Sequence, residues 1–282
     1  MAILEAITRL IRLRNCIIAF FGVIIGALLA YNGVNIFDKN VIIASLGAAF
    51  ITGAGNTIND YFDADIDKIN KPKRPIPSGE ISKNSALFLS IIMFLLGINF
   101  ARYASDICFG IAIINSIILI MYAKYSKRML IASNIFISYL VASIFLYGAV
   151  SVLDSAQEIF KANIVLILVI CAFFMTLSRE IIKDIEDIDG DKRLGSISLP
   201  IAFGENKSKD VAIIFAAAAI MTSLIPIFMR QESFNTYIYA IFIVIADIIF
   251  ILSFTREPSK GQKLMAVGMI VSLIAFFAGK IF

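Results

Sequence analysis

Two acidic segments contain the residues of this chain whose types and spacing best suit chemistry. They occupy residues 59–67 and 184–191, and each follows a long apolar run. Residues three and four apart share a face of a helix, so each segment places its side-chain oxygen atoms in one stripe. The first stripe consists of Asn59, Asp63 and Asp67, and the second consists of Glu180, Asp184, Asp187 and Asp191.

Such stripes predict a site for a divalent metal ion. Carboxylates this close repel one another, and the negative end of a helix dipole adds to the repulsion, so a cation must offset the charge. Hard divalent ions suit all-oxygen sites, and Mg2+ in particular is held by a few carboxylates while it keeps positions open for substrate phosphates. The alternative is that the acids are only the solvated ends of two helices, as most charge runs are. Two stripes with the same spacing at equivalent places favour the metal site.

The elements that must position these stripes are membrane helices. Sixty per cent of the residues are apolar and 16% are charged, and the mean hydropathy is +0.89, which is the composition of a polytopic membrane protein. Several windows approach or exceed the roughly 20 apolar residues that cross a bilayer as a helix, and the alternating pattern of a β-barrel is absent. We therefore predict an all-α fold, with residues 1–282 as a single domain. The nine predicted spans are 12–31, 41–62, 85–102, 107–122, 133–152, 163–182, 211–229, 236–254 and 263–281.

The basic residues predict which face of the membrane each loop occupies. Twenty of the 25 Lys and Arg residues lie before the first span and in alternate loops, and five lie on the opposite side. The positive-inside rule then places the N-terminus and both acidic stripes in the cytosol and the C-terminus outside. Residues 2–12 have one apolar and one charged face, which predicts an interfacial helix at the membrane surface.

The composition also excludes several kinds of site. The chain contains no histidine, and Cys16, Cys108 and Cys171 are isolated from one another. A zinc site, a disulfide framework and histidine-based acid–base chemistry are therefore excluded. No nucleic-acid partner is expected. Asp247 lies in the middle of a predicted span, and an intramembrane acid is a functional candidate; the sequence leaves open whether it is a buried packing acid or faces a lumen.

A proline-rich basic loop follows the first stripe. Lys73 and Arg74 lie among Pro72, Pro75 and Pro77, which predicts a stiff extended loop. Arg grips phosphate in a bidentate manner and Lys does not, so Arg74 is the stronger candidate for a phosphate ligand. The alternative is topological, since cytosolic loops are basic in any case.

Two further groups of polar residues lie at the predicted cytosolic ends of spans. The segment 122–128 contains Tyr122, Lys127 and Arg128, although tyrosine is also typical of an interfacial belt. Arg179 directly precedes the second stripe.

Together these motifs resemble those of the UbiA superfamily of intramembrane prenyltransferases. Its Asn-xxx-Asp-xxx-Asp pattern is matched by Asn59, Asp63 and Asp67, and its second Asp-rich motif by Asp184, Asp187 and Asp191. Its Tyr-Ser-xxx-Lys-Arg pattern is matched by Tyr122, Lys127 and Arg128, with Ala123 in place of Ser. Its proline-rich basic loop is matched around Arg74, and its Gly-xx-Thr-Leu-Pro pattern by residues 195–200, with Ser198 in place of Thr. Within the superfamily, residues 179–191 resemble the archaeal-type digeranylgeranylglyceryl phosphate synthases.

The resemblance implies nine helices around a central cavity with a cytosolic cap, and a Mg2+-dependent reaction. A geranylgeranyl group would pass from geranylgeranyl diphosphate to the hydroxyl of a lipid acceptor, geranylgeranylglyceryl phosphate, within the cell membrane. The implied metal ligands are Asp63, Asp67, Asp184, Asp187 and Asp191. The implied diphosphate ligands are Lys73, Arg74, Lys127, Arg128 and Arg179. The implied catalytic residues are Asn59 and Asp60, near the acceptor hydroxyl, and Tyr122, against the allyl cation.

Two alternatives stay open at this point. A superfamily member with an aromatic acceptor, from a quinone or haem pathway, would share nearly every motif and differ in its acceptor pocket. A Mg2+ channel or transporter would place acids along a path across the membrane, whereas the acids of this chain cluster on one side.

Overall fold

A computed structural model describes residues 2–30, 38–126, 129–153, 156–193, 195–229, 231 and 233–282. Over these residues the regular structure is entirely helical. The chain divides into two compact units. The prediction of a single domain for residues 1–282 stays a prediction.

The first unit comprises Met1–Ala27, Gly33–Ser126 and Ile144–Glu158. Its helices are α1 (Ala2–Leu10), α2 (Leu13–Ala30), α3 (Lys39–Asn70), α4 (Lys83–Ala104), α5 (Asp106–Tyr125) and the last third of α6 (Ala132–Val150). Glycines let α2 and α6 cross closely, because a Cβ atom on Gly26 would lie 2.1 Å from the carbonyl oxygen of Phe145 and one on Gly148 would lie 2.0 Å from that of Val23. Small residues allow this backbone approach in membrane proteins.

The second unit comprises Leu28–Asn32, Lys127–Ser143 and Ile159–Phe282. Its further helices are α7 (Asn163–Glu186), α8 (Ile188–Arg193), α9 (Leu199–Phe203), α10 (Glu205–Ser223), α11 (Ile225–Phe228), α12 (Thr236–Ser253) and α13 (Pro258–Ile281). Ala212, Ala216 and Ala219 of α10 are buried in one apolar cluster with Ile181 of α7 and Met265 of α13. The Ser178 hydroxyl donates to the Ala212 carbonyl oxygen at 2.7 Å, which ties α7 to α10.

Nine helices in the described part of the chain are long and apolar enough to cross a membrane. They confirm the predicted all-α fold with nine spans, and the chain is a multi-pass membrane protein. The seventh span combines α10 with α11; Leu224 separates the two helices, and Pro226 lies in the first turn of α11.

The helices that carry the acidic stripes extend beyond the predicted spans. The second span was predicted to end at residue 62, but α3 continues to Asn70. Lys68 lies in its last turn, where a positive charge suits the helix dipole. Lys71 follows the helix with a non-helical backbone (φ −141°, ψ 60°), because the residue before Pro72 is disfavoured in the helical region. The first stripe therefore lies on one continuous helix.

Candidate active site

The first acidic cluster is formed by one face of the last turns of α3. The Asn59 amide donates to Asp63 Oδ2 at 3.1 Å, as expected for residues four apart on a helix. Asp60 and Asp67, by contrast, are only 3% and 4% exposed. Buried carboxylates require cationic or hydrogen-bonding partners, and two arginines supply them.

Arg12, which precedes α3 in the sequence, and Arg74, which follows it, converge on the buried carboxylates. Arg12 donates to Asp60 Oδ1 at 2.8 Å, and Arg74 Nη1 donates to the same oxygen at 3.1 Å. The same Nη1 also donates to Asp67 Oδ2 at 2.5 Å. The predicted phosphate ligand Arg74 is thus paired with two acidic residues of the first segment.

Arg12 reaches this position through an unusual backbone turn. It lies between α1 and α2 with a φ angle of 51°, which non-glycine residues rarely adopt. Its Nη1 also donates to Asn56 Oδ1 at 3.4 Å, while the Asn56 amide donates to the Ile11 carbonyl oxygen at 3.0 Å. The turn between α1 and α2 is therefore held against α3 by hydrogen bonds from Arg12 to Asp60 and Asn56 and from Asn56 to Ile11.

The proline-rich loop is a series of turns, so the predicted extended conformation was wrong. The N–H of Ser78 donates to the Arg74 carbonyl oxygen at 2.9 Å, and the N–H of Ile81 donates to that of Pro75 at 3.0 Å. Prolines fix φ near −65°, which turns accept as readily as extended chains. Folded in this way, the loop directs Arg74 toward Asp60 and Asp67 and leaves Lys73 exposed.

The edge of the first cluster carries exposed ion pairs. Arg9 of α1 pairs with Glu80 and donates to the Lys73 carbonyl oxygen at 3.4 Å. The hydrogen bond from Arg9, with a smaller contribution from Ser78, lowers the pKa of Glu80 below its ordinary value. Asp65 pairs with Lys68 at 3.0 Å and with Lys83 at 3.2 Å. The loop and α1 are thus linked to each other at the surface.

Tyr122 lies half-buried in the last turn of α5. The predicted diphosphate ligands Lys127 and Arg128 lie outside the described residues.

The second acidic cluster is spread over two helices rather than one. Helix α7 ends at Glu186, and Asp187 (φ −91°, ψ 4°) follows it, so Asp191 belongs to the short helix α8. The N–H of Asp191 still donates to the Asp187 carbonyl oxygen at 3.0 Å. The predicted single stripe is therefore broken at Asp187, although its members remain neighbours along the backbone.

In the described part of the second unit, the Asp184 side chain is held by an amide and not by an arginine. Asn134, 4% exposed near the start of α6, donates from Nδ2 to Asp184 Oδ2 at 2.8 Å. The Ser133 hydroxyl in turn donates to Asn134 Oδ1 at 2.9 Å. Asn134 therefore has little freedom to turn away from the carboxylate.

Arg179 is bound within the second unit. Its Nε and Nη2 donate to the backbone and side-chain oxygens of Gln262 at 3.2 and 2.9 Å, and its Nη1 pairs with Glu180 at 3.0 Å. Gln262 also donates to Glu186 at 3.3 Å. This network ties the end of α7 to the start of α13.

Asp247 is a buried packing acid of the second unit, not a lumen-facing one. It is 7% exposed, and the Ser223 hydroxyl at the end of α10 lies 3.0 Å from its Oδ2. The Tyr239 hydroxyl donates to the Ser223 carbonyl oxygen at 2.7 Å. These contacts join α10 and α12 where the seventh span is interrupted.

The donor atoms of both clusters fit a hard divalent ion, since carboxylate and amide oxygens are the ligands that Mg2+ prefers. Within the described ranges, no group of three or more Cys, Asp or Glu side chains is placed to hold a metal ion. A metal ion at either cluster would therefore take further ligands from water or a bound phosphate, which is the usual manner of Mg2+.

Sequence reasoning did not assign Arg12, Asn134 and Gln262 to the site. Arg12 was counted as a cytosolic charge and as part of the charged face of residues 2–12, although its position at the start of the first span was a usable signal. Asn134 could have been noticed as an amide within the first turn of an apolar span, because polar groups there require a partner. Gln262 carried no comparable signal.

Known proteins are similar to this chain over nearly its whole length. The model of the UbiA prenyltransferase family matches residues 19–277. A digeranylgeranylglyceryl phosphate synthase of Methanococcus aeolicus is 42% identical over 280 residues, which cover 96% of each chain. A protein of the same name from Methanopyrus kandleri is 35% identical over 279 residues, which cover 98% of this chain and 99% of that one.

Solved structures give the same result. One is the structure of a digeranylgeranylglyceryl phosphate synthase in membranes. It has a TM-score of 0.84 and 36% identity, and the match covers 100% of this chain and 99% of that one. A UbiA homolog from Archaeoglobus fulgidus bound to DMAPP and Mg2+ has a TM-score of 0.69, with coverage of 96% and 98%; at 17% identity this is a likeness of fold. Because the family model and the relatives span nearly the whole chain, the protein belongs to the UbiA prenyltransferase family.

Proposed function

We propose that this protein is a Mg2+-dependent prenyltransferase that makes digeranylgeranylglyceryl phosphate. It transfers a geranylgeranyl group from geranylgeranyl diphosphate to the free hydroxyl of geranylgeranylglyceryl phosphate. The observation that carries the proposal is the 42% identity, over 96% of both chains, to a protein named for this product. The A. fulgidus homolog bound to DMAPP and Mg2+ supports a prenyl diphosphate donor and a divalent metal ion.

In the proposed reaction the bond between C1 of the prenyl group and the diphosphate oxygen breaks, and an ether bond forms between C1 and the acceptor oxygen. The acceptor hydroxyl loses its proton, and diphosphate leaves. The leaving diphosphate must be stabilised as its charge develops. Mg2+, when bound by Asp63, Asp67, Asp184, Asp187 and Asp191, supplies part of that stabilisation.

The cationic side chains supply the rest. Arg74 binds the diphosphate, with help from Lys73, Lys127, Arg128 and Arg179. Support for Arg74 comes from its place beside the first acidic cluster, where its side chain is 23% exposed and so within reach of a ligand. Arg179 contributes less, because Gln262 and Glu180 already occupy its donors.

The residues around the reacting carbon have separate tasks. Tyr122 presents an aromatic face to the allyl cation, an interaction that is stronger where water is excluded. Asn59 orients the acceptor hydroxyl. Asp60 holds the guanidinium groups of Arg12 and Arg74 in place.

We further propose that both acidic clusters face the cytosol, with the N-terminus inside and the C-terminus outside. The support is the twenty-to-five division of basic residues. Labelling of single cysteines in intact cells tests this. A cysteine at Ser78 should be protected from an impermeant reagent added outside, and its reaction would overturn the orientation.

The test of the reaction is a competition between acceptors. The purified protein is offered geranylgeranyl diphosphate together with geranylgeranylglyceryl phosphate and 4-hydroxybenzoate, and the products are identified by mass. We expect digeranylgeranylglyceryl phosphate, and we expect its formation to stop in excess chelator. Prenylated benzoate as the main product would reject the acceptor, and no prenylated product would reject prenyl transfer.

A further inference from the structure

Arg74 has the most unusual position of the proposed substrate ligands. Its Nη1 atom donates to Asp60 and Asp67 at once, and both carboxylates are almost completely buried. Asp60 has a second guanidinium partner in Arg12. Among the residues that the structure describes, Asp67 has Arg74 as its cationic partner. The charge of Asp67 therefore depends on Arg74 far more than that of Asp60 does.

The remaining donors of Arg74 point to a second task. Both ion pairs use Nη1, and no further partner of Nε or Nη2 occurs in the described part of the chain. A guanidinium offers five N–H groups in a fixed fork, and the edge formed by Nε and Nη2 matches two oxygens of a phosphate. Arg74 can thus bind a diphosphate with one edge while Nη1 stays near the acidic residues.

We propose that Arg74 takes the place of a metal cation at Asp67. Arg74 then opposes metal binding at Asp67 until a diphosphate is present. The inference rests on the proposed function and adds an order to its binding steps. Two cations at one buried carboxylate repel each other, and the repulsion is strong where water is partly excluded. A diphosphate brings several negative charges, which allow Arg74 and the metal ion to occupy the site together.

Metal and diphosphate would therefore bind cooperatively, and Arg74 would be the residue that couples them. A divalent ion alone would be held weakly by the ligand-free protein. The residue would have a positioning role toward the metal and a direct role toward the diphosphate. A purely structural role would affect folding but leave this coupling unchanged.

The test measures Mn2+ binding by electron paramagnetic resonance on the purified full chain in detergent, with and without inorganic diphosphate. A titration without protein corrects for the complex of Mn2+ with diphosphate. Removing the competing charge in Arg74→Gln should make Mn2+ alone bind about tenfold more tightly than in the unmodified protein. The tightening of Mn2+ binding by diphosphate should become smaller in the same variant.

The matched control is Lys83→Gln. Lys83 lies near the same end of α3 and pairs with the exposed Asp65 at 3.2 Å, not with Asp60 or Asp67. The substitution removes one positive charge as well, so it reports the general electrostatic effect, and Mn2+ affinity should change by less than about twofold. Equal Mn2+ affinities in Arg74→Gln and Lys83→Gln would overturn the inference.

A second variant decides the question if Arg74→Gln does not fold. Arg74→Lys keeps the charge but loses the guanidinium fork. Mn2+ alone should then bind as in the unmodified protein, while the coupling to diphosphate weakens. Unchanged coupling would contradict the inference. Failure of the proposed function has a different signature, because the unmodified protein would then show neither diphosphate-dependent Mn2+ binding nor a prenylated product.

Discussion

The two acidic clusters have similar sequences, but their buried and half-buried aspartates have different partners. In the first, Asp60 and Asp67 are buried against the guanidinium groups of Arg12 and Arg74. In the second, Asp184 accepts a hydrogen bond from the neutral amide of Asn134, and Asp187 is exposed. An ion pair neutralises a carboxylate, whereas an amide only orients it. The two buried carboxylates of the first cluster are therefore neutralised by guanidinium groups, whereas Asp184 of the second is oriented by an amide.

The largest expected effect tests whether both clusters are required for the reaction. Asp63→Asn and Asp187→Asn should each lower the rate of prenyl transfer about 100-fold or more, because each removes charge that stabilises the departing diphosphate. The rate is measured with saturating donor and Mg2+.

Each of these variants has a matched control nearby. Asp65→Asn and Asp189→Asn change exposed acids of the same segments and should retain most of the activity. Nearly full activity in either Asp63→Asn or Asp187→Asn would mean that the corresponding cluster is not a metal site.

The next effect concerns stability and separates the clusters directly. Asp60→Asn should lower the free energy of unfolding by about 3 kcal/mol, since it leaves two guanidinium groups against an uncharged amide. Asp184→Asn should lower the free energy of unfolding by less than about 1 kcal/mol, because the amide oxygen of the substituted side chain can still accept a hydrogen bond from Asn134. Thermal unfolding in one detergent compares the two variants. Equal destabilisation would show that the second cluster also depends on an ion pair.

A smaller expected effect, on activation by Mg2+, tests the Asn134 amide that orients Asp184. Asn134→Ala should weaken activation by Mg2+ about tenfold, as expected when a group that positions a metal ligand is lost. The measurement is the Mg2+ concentration that gives half of the maximal rate. Ser138→Ala is the control, since Ser138 lies one turn further along α6, is buried, and donates to the Asn134 backbone oxygen at 2.7 Å. A similar shift in both variants would indicate a general disturbance of α6.

The smallest effect lies at the exposed edge of the first cluster. The hydrogen bond from Arg9 lowers the pKa of Glu80. The pair therefore stabilises the protein at any pH above the ordinary pKa of a glutamate, and this stabilisation is lost as the pH falls through the lowered pKa. Glu80→Gln should therefore melt slightly below the unmodified protein at pH 7. At a pH below the lowered pKa the two should melt together. The difference in melting temperature at pH 7 should be small, because the pair is exposed to solvent. A difference that increased as the pH fell would contradict the assignment of this ion pair.

The spans and the acidic stripe of α3 were predictable because they depend on local information. Hydropathy over about 20 residues identifies a membrane helix, and the spacing of Asn59 and Asp63 alone brings them together on α3. The proline loop was predicted less well. The prolines at 72, 75 and 77 restrict φ in the same way in turns and in extended chains, and the turns that occur are those that direct Arg74 to its carboxylates.

By itself, the sequence determined the number of membrane helices, the family and the identity of the acidic motifs, because each of these resides in composition or in short spacings. Only the tertiary structure decided which charges are paired. Arg12 reaches Asp60 across 48 positions of sequence and Asn134 reaches Asp184 across 50, and no local pattern specifies such partners. Ion pairs and amide contacts of this kind depend on which helix faces pack together, and packing is a property of the folded chain as a whole.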